Sequence, residues 1–236
     1  MYLSRIWLNP RRSATRAALV ELQRLHAAVL ASFAPGSDPG RPLWRLDPDP
    51  VHGVALFLVS SAAPSLEHVA EQFGWPSCDT GQGLTKNYDA FLGSISTGDQ
   101  FAFRLTANPT VSISDRSNGR RRGHVVPLKT RDDQLAWLEK RSASAGFQFA
   151  ISGSAESVGV PLLPDLRLVN REQVAFRRGR GKADPKVTIE RVTFEGRLLV
   201  TDADAIRVAL TSGIGRAKGY GCGLMTLAPV PDAEAV

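Results

Sequence analysis

Tyr2-Leu-Ser-Arg-Ile-Trp-Leu8 alternates apolar and polar side chains, the period of a half-buried strand. Asn9-Pro10 breaks the pattern. From Ser13 to about Phe33 strong helix formers follow, with Leu19, Leu22, Val29, Leu30 and Phe33 on one face. Pro35 to Pro50 is rich in Pro, Gly and Asp and reads as loop, with a short strand at Leu43–Leu46. Val54–Ser60 reads as a strand, and Ser65–Phe73 as a short helix with Ser65 at its N-cap. Residues 74–98 read as irregular and turn-rich, and Gln100–Ala107 as a strand closed by Asn108-Pro109. Strand, helix, strand, strand, helix, strand is the βαββαβ order of the ferredoxin-like unit, an antiparallel sheet packed against two helices.

The order then roughly repeats. Arg116–Gly123 is a polar, basic loop and Val125–Leu128 a short strand. Thr130-Arg-Asp-Asp133 resembles a capping box for a helix over Asp132–Ala145, which carries Leu135, Trp137 and Leu138 and ends at Gly146. Phe147–Ile151 reads as a strand and residues 152–165 as loop. Leu166–Phe176 and Val187–Val200 read as two strands joined by a basic connection. Thr201-Asp-Ala-Asp204 caps a helix to about Leu210, Leu224–Ala228 is the last strand, and Pro229–Val236 reads as a frayed tail. The repeat is one of element order, not of sequence. It predicts an α+β chain of two tandem ferredoxin-like, RRM-like domains, over residues 1–112 and 113–236.

Composition sets the outer limits. A chain of 236 residues accommodates two domains of ordinary size. Hydrophobic content of 43% with 22% charged residues describes a globular protein able to bury a sizeable core. The net charge of +6 and pI of 9.7 favour polyanionic partners. Cys78 and Cys222 make no disulfide framework, and no signal-peptide pattern precedes the first strand. No apolar run approaches the roughly 18 residues of a membrane span. A cytoplasmic, reduced protein without a membrane partner is expected.

Gly213-Ile-Gly-Arg-Ala-Lys-Gly-Tyr-Gly-Cys-Gly223 stands out from this background. Gly213, Gly215, Gly219, Gly221 and Gly223 interleave with Arg216, Lys218 and Tyr220 between the last helix and the last strand. Glycine lets a ligand approach the main chain, and interleaved cations suit a phosphate. A helix C-cap explains Gly213 and leaves the others unexplained. The standard nucleotide motifs fail: no Gly-Lys-Ser/Thr occurs, and Gly213-x-Gly215-x-x-x-Gly219 precedes a strand rather than a helix. Lys218-Gly-Tyr-Gly221 begins like an RNA-recognition signature, but Cys222-Gly-Leu-Met225 lacks its stacking aromatics. Two further basic clusters, Arg120-Arg-Arg122 and Arg177-Arg-Gly-Arg-Gly-Lys182 continuing to Lys186, add to it. Three such clusters point to an extended polyanion.

Metal and hydrolase motifs are missing. Histidines and cysteines lie scattered without Cys-x-x-Cys or His-Glu-x-x-His, no carboxylate pair has a division of roles, and no serine sits in a Gly-x-Ser-x-Gly elbow. No metal and no cofactor is expected. His26 is the titratable residue of interest: it falls inside the apolar stripe of the first helix, four residues after Leu22 and three before Val29. A histidine there is either packed in the core or facing a cleft, where it could transfer protons near neutral pH. His52 and His68 read as surface residues, and His124 sits beside Arg120–Arg122.

Several pieces resemble the CasE endoribonucleases of type I-E CRISPR systems. They are Met1-Tyr-Leu-Ser4, His26 in the first helix, Arg104-Leu-Thr-Ala-Asn-Pro109, Val126-Pro-Leu-Lys with Gln134-Leu-Ala-Trp-Leu138, Phe194-Glu-Gly196, Gly213-Ile-Gly-Arg-Ala-Lys and Gly221-Cys-Gly-Leu. They run from end to end in the family's order, and the closing glycine segment is the most specific. The resemblance implies two ferredoxin-like domains, cleavage of CRISPR precursor RNA at the base of each repeat hairpin, His26 as the catalytic histidine, and a product that joins the Cascade complex. One departure stands out. The family commonly has a tyrosine three residues before that histidine, where this chain has Gln23, an amide that hydrogen-bonds but cannot act as acid or base.

On this reading the RNA supplies its own nucleophile, the 2′-hydroxyl beside the scissile phosphate, and leaves a 2′,3′-cyclic phosphate. His26 exchanges the protons, possible assistance falling to Gln23. Arg177, Arg178, Arg180, Lys182 and Lys186 hold the stem by its phosphates, with Arg120, Arg121 and Arg122 as further contacts. Arg216 and Lys218 grip the backbone beside the cut, and the stem is known mainly by its shape. The alternatives are a non-catalytic RNA-binding subunit of a CRISPR ribonucleoprotein and an enzyme using the glycine loop for a small nucleotide.

Overall fold

Strand and helix alternate along the chain because apolar period and turn residues switch together. The computed structural model describes residues 1–75, 83–113, 124–152, 163–177 and 186–230. The first unit comprises β1 (Tyr2–Leu8), α1 (Ser13–Val20), α2 (Leu22–Leu30), β2 (Leu43–Asp49), β3 (Gly53–Ser60), α3 (Glu67–Phe73) and β4 (Leu84–Asn87). Its four strands form one antiparallel sheet in the order β2-β3-β1-β4, the ferredoxin-like arrangement. Ile6, Leu8, Leu56, Leu58 and Trp44 turn one face to the helices, where they bury with Leu22, Leu25, Val29, Val69 and Phe73.

The helix read over Ser13–Phe33 is broken at Glu21, whose φ of −105° and ψ of 81° leave helical geometry. Leu30, placed on the apolar face by the pattern, is 46% exposed. The buried ridge of α2 is Leu22, Leu25, Ala28 and Val29. The N-cap of α3 is Leu66, with no side-chain cap, rather than Ser65.

After α4 (Asp89–Ser94) comes the second unit: β5 (Gln100–Ala107), a hairpin of β6 (Thr110–Ile113) and β7 (His124–Pro127), α5 (Arg131–Ser142), β8 (Phe147–Phe149), β9 (Ile151–Ser152) and β10 (Leu163–Pro164). It ends with β11 (Leu166–Arg177), β12 (Lys186–Val200), α6 (Ala203–Ser212) and β13 (Met225–Pro229). The sheet order is β11-β12-β5-β13, with β8 also on β12. The helix starts follow their caps: Thr130 accepts from the Asp133 N–H, and Asp202 from the Asp204 and Ala205 N–H groups.

Gln100–Ala107, which closes the first unit in the sequence pattern, is thus the opening, central strand of the second. β4, within the stretch read as irregular, closes the first sheet. The strands divide between Asn87 and Gln100, not at residue 112. Likewise Val125–Leu128 does not open the second sheet, since β7 pairs with β6 alone. The cause is physical: Leu-Thr-Lys-Asn of β4 is short, mostly exposed and at a sheet edge, so it carries no alternation.

The other face of the first sheet is covered by the second unit. Leu43 and Val59 join Leu105, Phe194, Leu210 and Met225 in one core. Arg45, 1% exposed, donates to both carboxylate oxygens of Asp47 at 2.8 and 2.7 Å. It also donates to the Arg104 and Leu224 carbonyls at 2.8 and 3.1 Å and to Thr226 Oγ1 at 2.8 Å. This guanidinium ties β2 to β5 and the start of β13.

Candidate active site

His26 lies at the edge of the buried ridge of α2. It follows Leu22 and Leu25 around the helix, so its backbone is fixed by their packing while its ring looks sideways. What it meets is the glycine segment of the second unit. Gly213 ends α6 with φ 76°. The segment is then pinned by Ile214 N–H to the Gly223 carbonyl (2.9 Å) and Gly223 N–H to the Thr106 carbonyl (2.6 Å). Between these pins Lys218–Tyr220 form a 3-10 turn, entered through Ala217 in the left-handed region at φ 61°.

Two glycines bring the segment into close contact. A Cβ on Gly219 would stand 3.2 Å from His26 Cε1, so a side chain there would press the imidazole aside by a few tenths of an ångström. Gly221 combines φ 75° with a Cβ position 2.8 Å from Trp44 Cζ3. The segment therefore seats against α2 on one side and β2 on the other. Tyr220 lies between, its ring 5.7 Å from the His26 ring and 4.6 Å from Phe176, its hydroxyl donating to Gln23 Oε1 at 3.2 Å.

The electrostatics suit an anion. Burial, and secondarily the positive Arg41, hold the His26 imidazole below its ordinary pKa of 6.5. The ring is then mostly neutral at pH 7 and able to accept a proton. Burial, again with Arg41, lowers the Lys218 ammonium, which donates to the Ser212 carbonyl. Arg41 was not among the residues singled out from the sequence. It sits in the loop before β2, where Gly40-Arg41-Pro42 shows no cluster or motif. Only tertiary packing reveals it: Leu43 lies against Gly213 and Trp44 against Gly221, which carries the preceding residues under the glycine segment. Removing this charge, as in Arg41→Gln, is expected to raise the His26 pKa towards 6.5 without reaching it, because burial remains. The acid limb of a kcat/KM–pH profile should move to higher pH and the maximal rate should fall. An unmoved limb would show that Arg41 does not act on His26.

His26, Gln23, Lys218 and Tyr220 are thus brought together, with Arg41 acting on two of them. Arg216 is exposed on the same segment. Arg177 and Lys186 are the last backbone pair of β11 and β12 before the connection between them, and Phe176 beside them packs on Tyr220. Arg178, Arg180 and Lys182, like Arg120, Arg121 and Arg122, lie outside the described residues. His52 and His68, expected at the surface, are half-buried: His52 stacks on Trp7 at 4.4 Å and His68 Nε2 is 3.0 Å from the Ala28 carbonyl. Among the described residues no group of three His, Cys, Asp or Glu is placed to hold a metal ion. No helix among them is long and apolar enough to cross a membrane.

The model of a family described as CRISPR associated protein matches residues 1–229. The CRISPR-associated endoribonuclease Cse3 of Thermus thermophilus is 29% identical over 231 residues, covering 97% of this chain and 100% of the relative. The CRISPR system Cascade subunit CasE of Escherichia coli K12 is 27% identical over 235 residues, covering 98% and 100%. A solved structure of Thermus thermophilus Cse3 bound to an RNA representing a pre-cleavage complex superposes with TM-score 0.73 at 25% identity, over 97% of this chain and 98% of the other.

Proposed function

Because the chain belongs to this family of CRISPR associated proteins, we propose that it is an endoribonuclease that cuts CRISPR repeat hairpins in precursor RNA to give guide RNA. The observation that carries the reading is the meeting of His26 from the first unit with the Lys218 turn from the second. There a proton-transfer group lies against a basic turn, Gly219 beside the imidazole following Lys218 in the chain, and Arg41 acts on both His26 and Lys218. Cleavage needs no more than alignment, proton movement and charge stabilisation. The 2′-oxygen attacks phosphorus and the 5′-oxygen leaves. The 2′-hydroxyl proton passes to neutral His26, and the imidazolium returns one to the leaving oxygen. Lys218 and Arg41 offset the charge that develops on the phosphate, and Arg216 holds the strand. The basic stretch that follows Phe176 in sequence, Arg177, Arg178, Arg180, Lys182 and Lys186, grips the stem. Arg120–Arg122 add phosphate contacts on the same RNA.

The products are a 2′,3′-cyclic phosphate and a 5′-hydroxyl, and the chemistry proceeds without metal. We also place the protein in the cytoplasm with other Cascade subunits as partners, as the name of its Escherichia coli relative suggests. The test is incubation of a repeat-hairpin RNA with the protein in EDTA. The expected result is one cut with a cyclic phosphate end, with RNA affinity falling steeply as salt rises through loss of counterion release. Cleavage abolished by chelation and restored by a divalent ion would overturn the metal-free route.

A further inference from the structure

The site is split between two units. His26 stands on α2 of the first, and Lys218 on the glycine segment of the second. They serve one phosphate only if the two elements keep their register to a fraction of an ångström. The close approach of Gly219 to the imidazole does not secure this, because a van der Waals contact has little directionality.

One directional bond spans the gap. Tyr220 Oη donates to Gln23 Oε1 at 3.2 Å, the only side-chain hydrogen bond between α2 and the glycine segment among the described residues. Gln23 stands one turn before His26, so a bond to it also fixes the helix face that bears the imidazole. The tyrosine ring then lies against both neighbours, tilted at 53° to the His26 ring and packed on Phe176 beside the basic hairpin. A phenylalanine would fill the same half-buried space. The hydroxyl adds nothing to packing, and its purpose is the bond.

We propose that Tyr220 and Gln23 form a positioning latch that sets the His26 imidazole against the Lys218–Tyr220 turn. The latch rests on the cleavage reading above, and it acts through His26 rather than on the RNA. Phe176 extends it to the last pairs of β11 and β12, next to their basic connection, so the latched geometry also relates the cut to the held stem.

The test uses Tyr220→Phe, Gln23→Leu and the double variant, in single-turnover cleavage of a repeat-hairpin RNA. Each single variant should cut about 10- to 100-fold more slowly, the scale of a misplaced reacting group. RNA affinity and melting temperature should be unchanged, and the double variant no slower than either single one. The His26 ring resonance should also shift in Tyr220→Phe protein carrying labelled histidine. Cleavage by Tyr220→Phe at the full rate, a rate loss explained by weaker RNA binding, or multiplying single effects would each overturn the latch. His26→Ala serves as the control. If it is inactive while Tyr220→Phe is fully active, the latch alone falls; if it cuts like the natural protein, the assignment of His26 falls and takes the latch with it; and if the natural protein itself does not cut the RNA, the cleavage reading falls.

Discussion

His26→Ala is expected to slow single-turnover cleavage of a repeat-hairpin RNA by about 10²–10⁴-fold, the usual contribution of a positioned acid–base group. RNA affinity should be kept, because the imidazole is mostly neutral at pH 7 and the cations lie on other elements. The fold should also be kept. His26 is half-exposed at the rim of the α2 ridge, and Leu22, Leu25 and Val29 hold that helix without it. Gel-based cleavage under enzyme excess, with filter binding of the same RNA, separates the two quantities. A variant that binds and cuts like the natural protein would sink the assignment of His26, whereas a natural protein that binds the hairpin without cutting it would leave the chain as an RNA-binding subunit. A variant that loses both would place His26 in binding rather than in chemistry.

Arg45→Met should cost about 3–5 kcal/mol of stability, the range for removing one partner of a buried ion pair. The loss is large for two reasons. Asp47, with its side chain only 8% exposed, keeps a carboxylate whose nearest remaining cation is Arg104 at 3.6 Å. Two carbonyls and Thr226 on the second unit also lose their donor. At about 2–4 °C per kcal/mol for a chain of this size, the melting temperature should fall by roughly 6–20 °C. Arg104→Met is the comparison. Arg104 is one-third exposed, so its pairs with Asp47 and Glu195 are screened and should contribute only about 0–1 kcal/mol. Equal losses in the two variants would show that burial does not set the cost. Arg45 also joins the sheets beneath the glycine segment, so Arg45→Met should impair cleavage more than its distance from His26 suggests.

The amino-acid order alone determined most of the longer elements and much of what the site is made of. Period-two alternation at Tyr2–Leu8 and Gln100–Ala107, the Thr130 and Asp202 caps, and the glycines of 213–223 are local signals, and each appears where its residues place it. Tertiary structure alone decided how the strands pair. Gln100–Ala107 fits either sheet by pattern, because alternation states which side chains are buried and not against which strand. The short, exposed edge strand at Leu84–Asn87 carried no alternation by which to claim the fourth place. The same holds at the site. His26 within an apolar stripe could equally have been a packed core residue; only the tertiary structure shows it half-buried, with Gly219 and Tyr220 of the second unit against its ring. Arg41 and the Tyr220–Gln23 bond had no signal in the chain, being relations between residues far apart in sequence. Local chemistry can be read along a chain, but which distant groups share a charge field or a hydrogen bond is settled only when the two sheets pack.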